Sequence, residues 1–335
     1  MSISNSSEVQ KTLLRLRQIH LKTDRDIELR KYLDRLLQRD SEGNLLPVPV
    51  RFTGNMETRG IMMIEGSGGG KTTALKKVLS EHPAFARQAQ SGSQPVVSIQ
   101  VPSPATMKSL GLAILAGTGM HDLSERSKAW DIWKLVKHRF GLLDTTALWI
   151  DEAQDMFFSG KPSEIDNMLK TIKSLMQNEN AVIVILSGTE RLSDVTAFDP
   201  QVNRRFVKIM PRDLVLGEDE VAVMEGIIRN YCKVADLSFD PGGKLAGRLI
   251  HGSRGRFGRA LETILDAIEC ALNEASSNLT RMHFAAAWEV QEGCAWKQNV
   301  FAIDDWRHLC LDEAAADFEF ERKQRQFRKM GRTSA

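Results

Sequence analysis

Apolar residues recur at spacings of three and four through Leu13, Leu16 and Ile19, and again through Leu29, Tyr32, Leu33, Leu36 and Leu37. That period predicts one or two amphipathic helices within residues 7–38. A stretch punctuated by Gly and Pro, Glu42 to Thr58, interrupts the pattern. Short apolar runs follow at Ile61–Ile64, Val96–Val101, Ala147–Ile150 and Ala181–Leu186, with longer segments of helical composition between most of them. Strands that alternate with helices pair in parallel, and the crossovers cover both faces of the sheet. After Pro211 the strand signals stop. Val221, Met224, Ile227, Ile228 and Tyr231 recur at helical spacing, as do Leu261, Ile264, Leu265, Ile268 and Leu272, and Thr280 is placed to cap a further helix through Val290. The expected organisation is a helical segment over residues 1–50, an α/β domain with a parallel central sheet over 51–213, a small helical domain over 214–292 and an extension over 293–335.

Composition narrows the class. Of 335 residues, 42% are hydrophobic and 26% charged, as in ordinary globular proteins. The first residues are polar, unlike a signal peptide, and the longest apolar run is too short to cross a bilayer. The four cysteines, Cys232, Cys270, Cys294 and Cys310, form no CxxC pair. They read as reduced thiols of a cytoplasmic protein, with zinc binding a poor second. A net charge of +2 argues against a simple basic DNA-coating protein. It leaves room for an assembly that lines up a few lysines from every subunit. The extension is patterned: Asp312, Glu313, Asp317, Glu319 and Glu321 precede Arg322, Lys323, Arg325, Arg328, Lys329 and Arg332. It reads as a partner-facing helix, a DNA arm or a passive tail.

Residues 61–73 carry the clearest chemistry: a buried strand, a glycine-rich turn at Gly66-Ser67-Gly68-Gly69-Gly70, then Lys71-Thr72-Thr73 opening a helix. Glycines let backbone N–H groups turn inward around phosphates, and the helix N-terminus adds partial positive charge. Lys71 is placed for the β- and γ-phosphates of ATP, and the Thr72 hydroxyl for Mg²⁺. Glu65 stands where the first glycine of the G-x-x-x-x-G-K-[ST] pattern belongs, so its carboxylate must point away from the phosphates; Gly66 offers the turn one position later. Roughly 80 residues on, Ala147-Leu-Trp-Ile150 ends in Asp151-Glu152, an apolar strand that delivers two carboxylates to the sheet's carboxyl edge. Asp151 is the candidate for Mg²⁺ and Glu152 for polarising the attacking water. Arg205 is the candidate for stabilising charge on the γ-phosphate, with Arg204 the near alternative, and Arg259 a further phosphate contact from the helical region.

In this order the residues resemble the AAA+ ATPases across roughly residues 50–292. Asp151-Glu-Ala-Gln154, Leu186-Ser-Gly-Thr-Glu190, Gly255-Arg-Phe-Gly-Arg259 and Asn299-Val-Phe301 are similar to the TniB/TnsC transposition regulators. The resemblance implies a nucleotide-binding AAA+ domain with a helical lid. It implies Thr189, or Ser187 in its place, as the sensor of the fourth strand, Arg205 as a finger donated to a neighbouring subunit, and Arg259 as the lid sensor. It further implies a homo-oligomeric ring or filament on double-stranded DNA that recruits a DDE-type transposase, helped by a target-selection protein. By the same resemblance Thr106 and Lys108, after the second strand, are the candidate DNA contacts; an ordinary capped helix with a solvent lysine explains them equally.

Two other readings compete. An ATPase of a secretion or cell-envelope machine shares the Asp-Glu-Ala-Gln strand end, but no membrane span or peptidoglycan-binding segment is visible. A replication initiator or helicase loader often adds a winged-helix domain, for which residues 293–335 are too short. A kinase reading lacks a small-substrate motif.

Overall fold

The computed structural model describes residues 3–89, 92–121, 127–157, 162–197 and 199–312. The acidic and basic residues from Glu313 to Arg332 lie outside the described residues. The chain forms two compact units. Of the described residues, one unit, largely helical, takes 3–21, Gly68–Gly70 and 212–312; the other takes those within Lys22–Ser67 and Lys71–Pro211.

Helix α1 (Ile3–Arg17) belongs to the helical unit. The α/β unit begins with α2 (Asp24–Leu36), followed by the short antiparallel pair β1 (Leu37–Arg39) and β2 (Leu45–Pro49). Strand β3 (Gly60–Ile64) leads through the glycine turn into α3 (Lys71–Ser80) and α4 (Pro83–Ala89). Then come β4 (Val96–Gln100), α5 (Met107–Gly117), α6 (Ala129–Leu142) and β5 (Ala147–Asp151). The unit closes with α7 (Pro162–Leu175), β6 (Ile183–Gly188), α8 (Glu190–Thr196), α9 (Pro200–Asn203) and β7 (Phe206–Ile209).

The five-stranded sheet has the order β4-β5-β6-β3-β7, and every neighbouring pair is parallel. Strands β3, β5 and β6 are buried at every position because alternate side chains serve two cores. Met62, Ile64, Leu148, Ile150, Val184 and Leu186 pack with Leu110 and Ile114 of α5, Phe140 of α6 and Ile172 of α7. Ile61, Met63, Trp149, Ile183 and Ile185 pack with Leu29 and Leu33 of α2, Leu75 and Leu79 of α3, and Phe85 of α4.

Two features depart from the sequence pattern. The sheet has a fifth strand, β7, at its edge, where only Phe206 and Ile209 are buried. Residues 1–50 are shared between the units: Val9, Leu13 and Leu16 join the helical core, whereas Leu29 and Leu33 cover the sheet.

In the helical unit, α1 packs with α10 (Glu218–Val234), α11 (Leu245–Gly252), α12 (Phe257–Asn273) and α13 (Arg281–Glu292) around one apolar cluster. A short parallel pair, β8 (Ser238–Phe239) with β9 (Asn278–Leu279), completes it. Thr280 caps α13, as the sequence predicts. Fully buried Asn299 donates its Nδ2–H to Ala285 O (2.8 Å) and accepts the Phe301 N–H (2.9 Å), so the Asn-Val-Phe segment fastens the chain back onto this core. Cys232, Cys270, Cys294 and Cys310 are free thiols. No described helix is long and apolar enough to cross a membrane.

The start of β7 is tied down by a buried ion pair between Arg205 and Glu57. Glu57 also accepts the Thr53 hydroxyl at 2.8 Å, and its backbone bridges to Phe52 and Gln177. Burial pushes the Glu57 carboxyl up, but the hydrogen bonds from Thr53 and Arg205 and the charges of Arg205 and Arg204 outweigh it, so the pKa lies below its ordinary 4.5. Glu57→Gln, which leaves Arg205 buried without a counter-charge, should cost the α/β unit about 3 kcal/mol at neutral pH. A lowered folded-state pKa gives stability that is complete above the unfolded value and is lost as pH falls through the folded one. The wild-type advantage in urea unfolding should therefore shrink below pH 4.5. A variant as stable as wild type at pH 7 would contradict the role given to this pair.

Candidate nucleotide-binding site

Strand β3 delivers the chain to the turn, and Lys71 begins α3 immediately after it. Gly68 and Gly70 take φ of 76° and 108°, a backbone region in which side chains are strained. Lys71 is buried, and its Nζ donates to the carbonyls of Glu65 (2.9 Å) and Gly66 (3.3 Å). The ammonium is thus folded back over the loop's own carbonyls, where phosphate oxygens are stronger acceptors for it. The Glu65 carboxylate faces the other way and accepts from Arg25 Nη1 at 2.7 Å. Ser67 and Thr73 are exposed, and Gly66 is buried.

Asp151 ends β5 with both oxygens engaged. Oδ2 accepts the Thr72 hydroxyl at 2.7 Å; Oδ1 accepts the Ser187 hydroxyl at 2.6 Å and the Glu152 N–H at 3.0 Å. Ser187 in turn accepts the Trp149 indole N–H at 2.8 Å. This follows from sheet order, since β6 lies between β3 and β5 and so brings Ser187 beside the acid. Thr72 Oγ1 and Asp151 Oδ2 are two hard oxygen donors side by side. Mg²⁺ is held in this way, by one or two protein oxygens together with substrate phosphates and water. Among the described residues there is no cluster of three or more His, Cys, Asp or Glu that could hold a metal by itself.

Glu152 has a left-handed backbone, φ 54°, uncommon for a residue other than glycine and frequent at functional sites. Its Oε2 accepts from Gln154 Nε2 at 2.6 Å, while Gln154 Oε1 accepts the Thr189 N–H at 3.1 Å. Gln154 therefore links the candidate water-polarising acid to the end of β6. Only glycine at 188 leaves room for it, because a Cβ there would stand 2.3 Å from Gln154 Oε1. The Thr189 hydroxyl oxygen is buried with no hydrogen-bond partner among the described residues. Of the two sensor candidates, Ser187 is thus committed to Asp151 and Thr189 has a hydroxyl in reserve. Neither Arg25 nor Gln154 stood out as a site residue in the sequence. The Asp-Glu-Ala-Gln spacing held the signal for Gln154, and nothing local held one for Arg25.

The remaining candidates are distributed. Arg205 is only 4% exposed and committed to Glu57, whereas Arg204 beside it is 63% exposed, 3.8 Å from the same carboxylate. Thr106 caps α5 by accepting the Ser109 N–H at 3.0 Å, with half-buried Lys108 in the following turn. In the helical unit the Arg259 guanidinium pairs with Glu292, which also accepts from Arg254 at 3.0 Å. Burial, then the nearby Arg254 charge, lowers the Arg259 pKa. Gly68–Gly70 are counted with this unit, and the Gly68 and Gly69 carbonyls accept the N–H groups of Arg259 (2.8 Å) and Gly258 (3.3 Å) at the start of α12.

Comparison with solved structures supports the fold. The ORC1 protein of Aeropyrum pernix in complex with DNA aligns with a TM-score of 0.58 and 16% identity, over 82% of this chain and 69% of that one. The ORC2 protein of Aeropyrum pernix, in ADPNP-ADP complexes, gives 0.53 and 16%, over 72% and 66%. Drosophila ORC bound to DNA gives 0.53 and 15%, over 89% and 72%. The chain thus spans about two thirds of the length of these neighbours. No curated protein matches the sequence. The family model described as "Bacterial TniB protein" matches residues 49–212, the span that holds the glycine loop, Asp151-Glu152 and Arg204-Arg205. Across that span the sequence is similar to the TniB family, and the neighbours share the α/β fold of the AAA+ P-loop ATPases.

Proposed function

We propose that this protein is an ATP-hydrolysing switch of DNA transposition, which assembles on target duplex DNA and recruits a transposase of the DDE type. The observation that carries the ATPase reading is the convergence of Thr72, Ser187 and Glu152 on Asp151 beside Lys71. The match of residues 49–212 to the TniB family model supports ATP hydrolysis and an association with DNA. The DNA complexes of ORC1 and ORC on the same fold are in keeping with it.

In this reading Lys71 leaves its loop carbonyls to hold the β- and γ-phosphates, and the backbone N–H groups of residues 66–72 cradle them. Thr72 and Asp151 would hold Mg²⁺, which would supply positive charge to neutralise the phosphates. Glu152 accepts a proton from the attacking water once Gln154 releases it, and the Thr189 hydroxyl contacts the γ-phosphate. Arg259 exchanges Glu292 for a phosphate. A neighbouring subunit supplies the finger. We assign it to Arg204, because an exposed guanidinium can reach across an interface and a buried, paired one must first break its ion pair. Thr106 and Lys108 are retained as duplex contacts repeated along a ring or filament, and a target-selection protein places the assembly.

Lys71→Ala should abolish tight ATP binding, while Glu152→Gln should bind ATP and hydrolyse it about 100-fold or more slowly. Equal nucleotide affinity in wild type and Lys71→Ala would overturn the site. Arg204→Ala should bind ATP normally but lose about a thousandfold in turnover. Mixing it with Lys71→Ala subunits should restore hydrolysis, since one partner keeps the loop and the other the finger. If Arg204→Ala retains full turnover, the finger lies elsewhere. Filament or ring formation on duplex DNA should require ATP, and assembly that ignores nucleotide would contradict the switch.

A further inference from the structure

The glycine loop opens on a buried carboxylate, and the structure shows how its charge is managed. Glu65 divides its polar groups between two directions. Its carbonyl accepts from Lys71 Nζ at 2.9 Å, its N–H donates to Gly188 O at 3.0 Å, and its carboxylate accepts from Arg25 Nη1 at 2.7 Å. The two charged side chains are 7% and 5% exposed, so solvent screens them little. Arg25 lies in the first turn of α2, which is held against the sheet by Leu29 and Leu33. A loop that receives a polyphosphate tolerates a neighbouring anion poorly, because like charges repel strongly where water is excluded. An arginine brought from 40 residues earlier in the chain both neutralises that anion and turns it away.

We propose that Arg25 is a positioning residue of the nucleotide site: it holds the Glu65 carboxylate off the phosphates and so lets this glutamate-bearing loop accept a nucleoside triphosphate. The inference rests on the nucleotide-binding reading above. It accounts for a carboxylate at a position where other loops of this type carry glycine. It also gives α2 a part in the site that its amphipathic pattern does not reveal. The penalty from a released carboxylate grows with ligand charge, so ATP is affected more than ADP.

The test is equilibrium binding of fluorescent ATP and ADP analogues, with Mg²⁺, to the full chain and to Lys71→Ala, Arg25→Met, Glu65→Gln and the double variant Arg25→Met/Glu65→Gln. Arg25→Met should weaken ATP binding by roughly tenfold or more and ADP binding by less. Glu65→Gln should bind ATP at least as well as wild type. The double variant should return to within roughly threefold of wild type, since no charge then remains to repel the ligand. Equal losses for ATP and ADP, with no recovery in the double variant, would reduce the pair to a structural brace and overturn the proposal. If Arg25→Met does not fold, the other two variants decide: weakened ATP binding in Glu65→Gln or in the double variant contradicts it. Loss of binding in Lys71→Ala alone, with Arg25→Met unchanged, removes Arg25 from the site and leaves the site standing. Unchanged binding in Lys71→Ala removes both.

Discussion

Both oxygens of Asp151 are taken by hydroxyls that come from different strand ends, Thr72 after β3 and Ser187 on β6. A carboxylate buried to this degree must have its lone pairs satisfied, and here the partners can meet it only if β6 runs between β3 and β5. Sheet order, the loop after β3 and the direction of Glu152 are thereby coupled through one side chain. The Trp149 indole extends the coupling into the core, since its ring packs with Ile61, Ile183 and Ile185 while its N–H orients Ser187. A network of this kind is costly when half-satisfied and specifies one arrangement when complete.

Within each unit the charged candidate side chains are parked on partners. Lys71 lies on loop carbonyls, Glu152 on Gln154, Arg205 on Glu57 and Arg259 on Glu292. These pairings differ in kind. The first two join neutral acceptors or donors to a charge, and a phosphate or a water can displace them at modest cost. The Arg205–Glu57 pair is buried, and breaking it leaves an uncompensated charge, so it reads as architecture. Arg204, beside it and exposed, is the residue left for a partner.

How far the sequence revealed this depends on how local each signal is. Strands β3, β5 and β6 were legible because burial on both faces makes them continuous apolar runs. Edge strand β7 was not, because four residues with Lys208 and Val207 only half-buried leave no such run. The loop and Asp151-Glu152 were legible because phosphate chemistry needs those residue types at that spacing. The partnerships of Arg25 and Arg205 were not, since they join residues 40 and 148 positions apart and only tertiary structure pairs them. Periodicity announced the amphipathic faces of α1 and α2, yet could not say that one packs in the helical unit and the other on the sheet.

The central claim is that residues 66–72, Asp151 and Glu152 form one nucleotide site. Electron microscopy of the chain with duplex DNA and a non-hydrolysable ATP analogue tests it most directly. The account predicts phosphates cradled by residues 66–72, with Lys71 Nζ moved from the Glu65 and Gly66 carbonyls onto them and Glu152 facing the γ-phosphate. A nucleotide bound elsewhere, or Lys71 still seated on its own loop with nucleotide present, would contradict it.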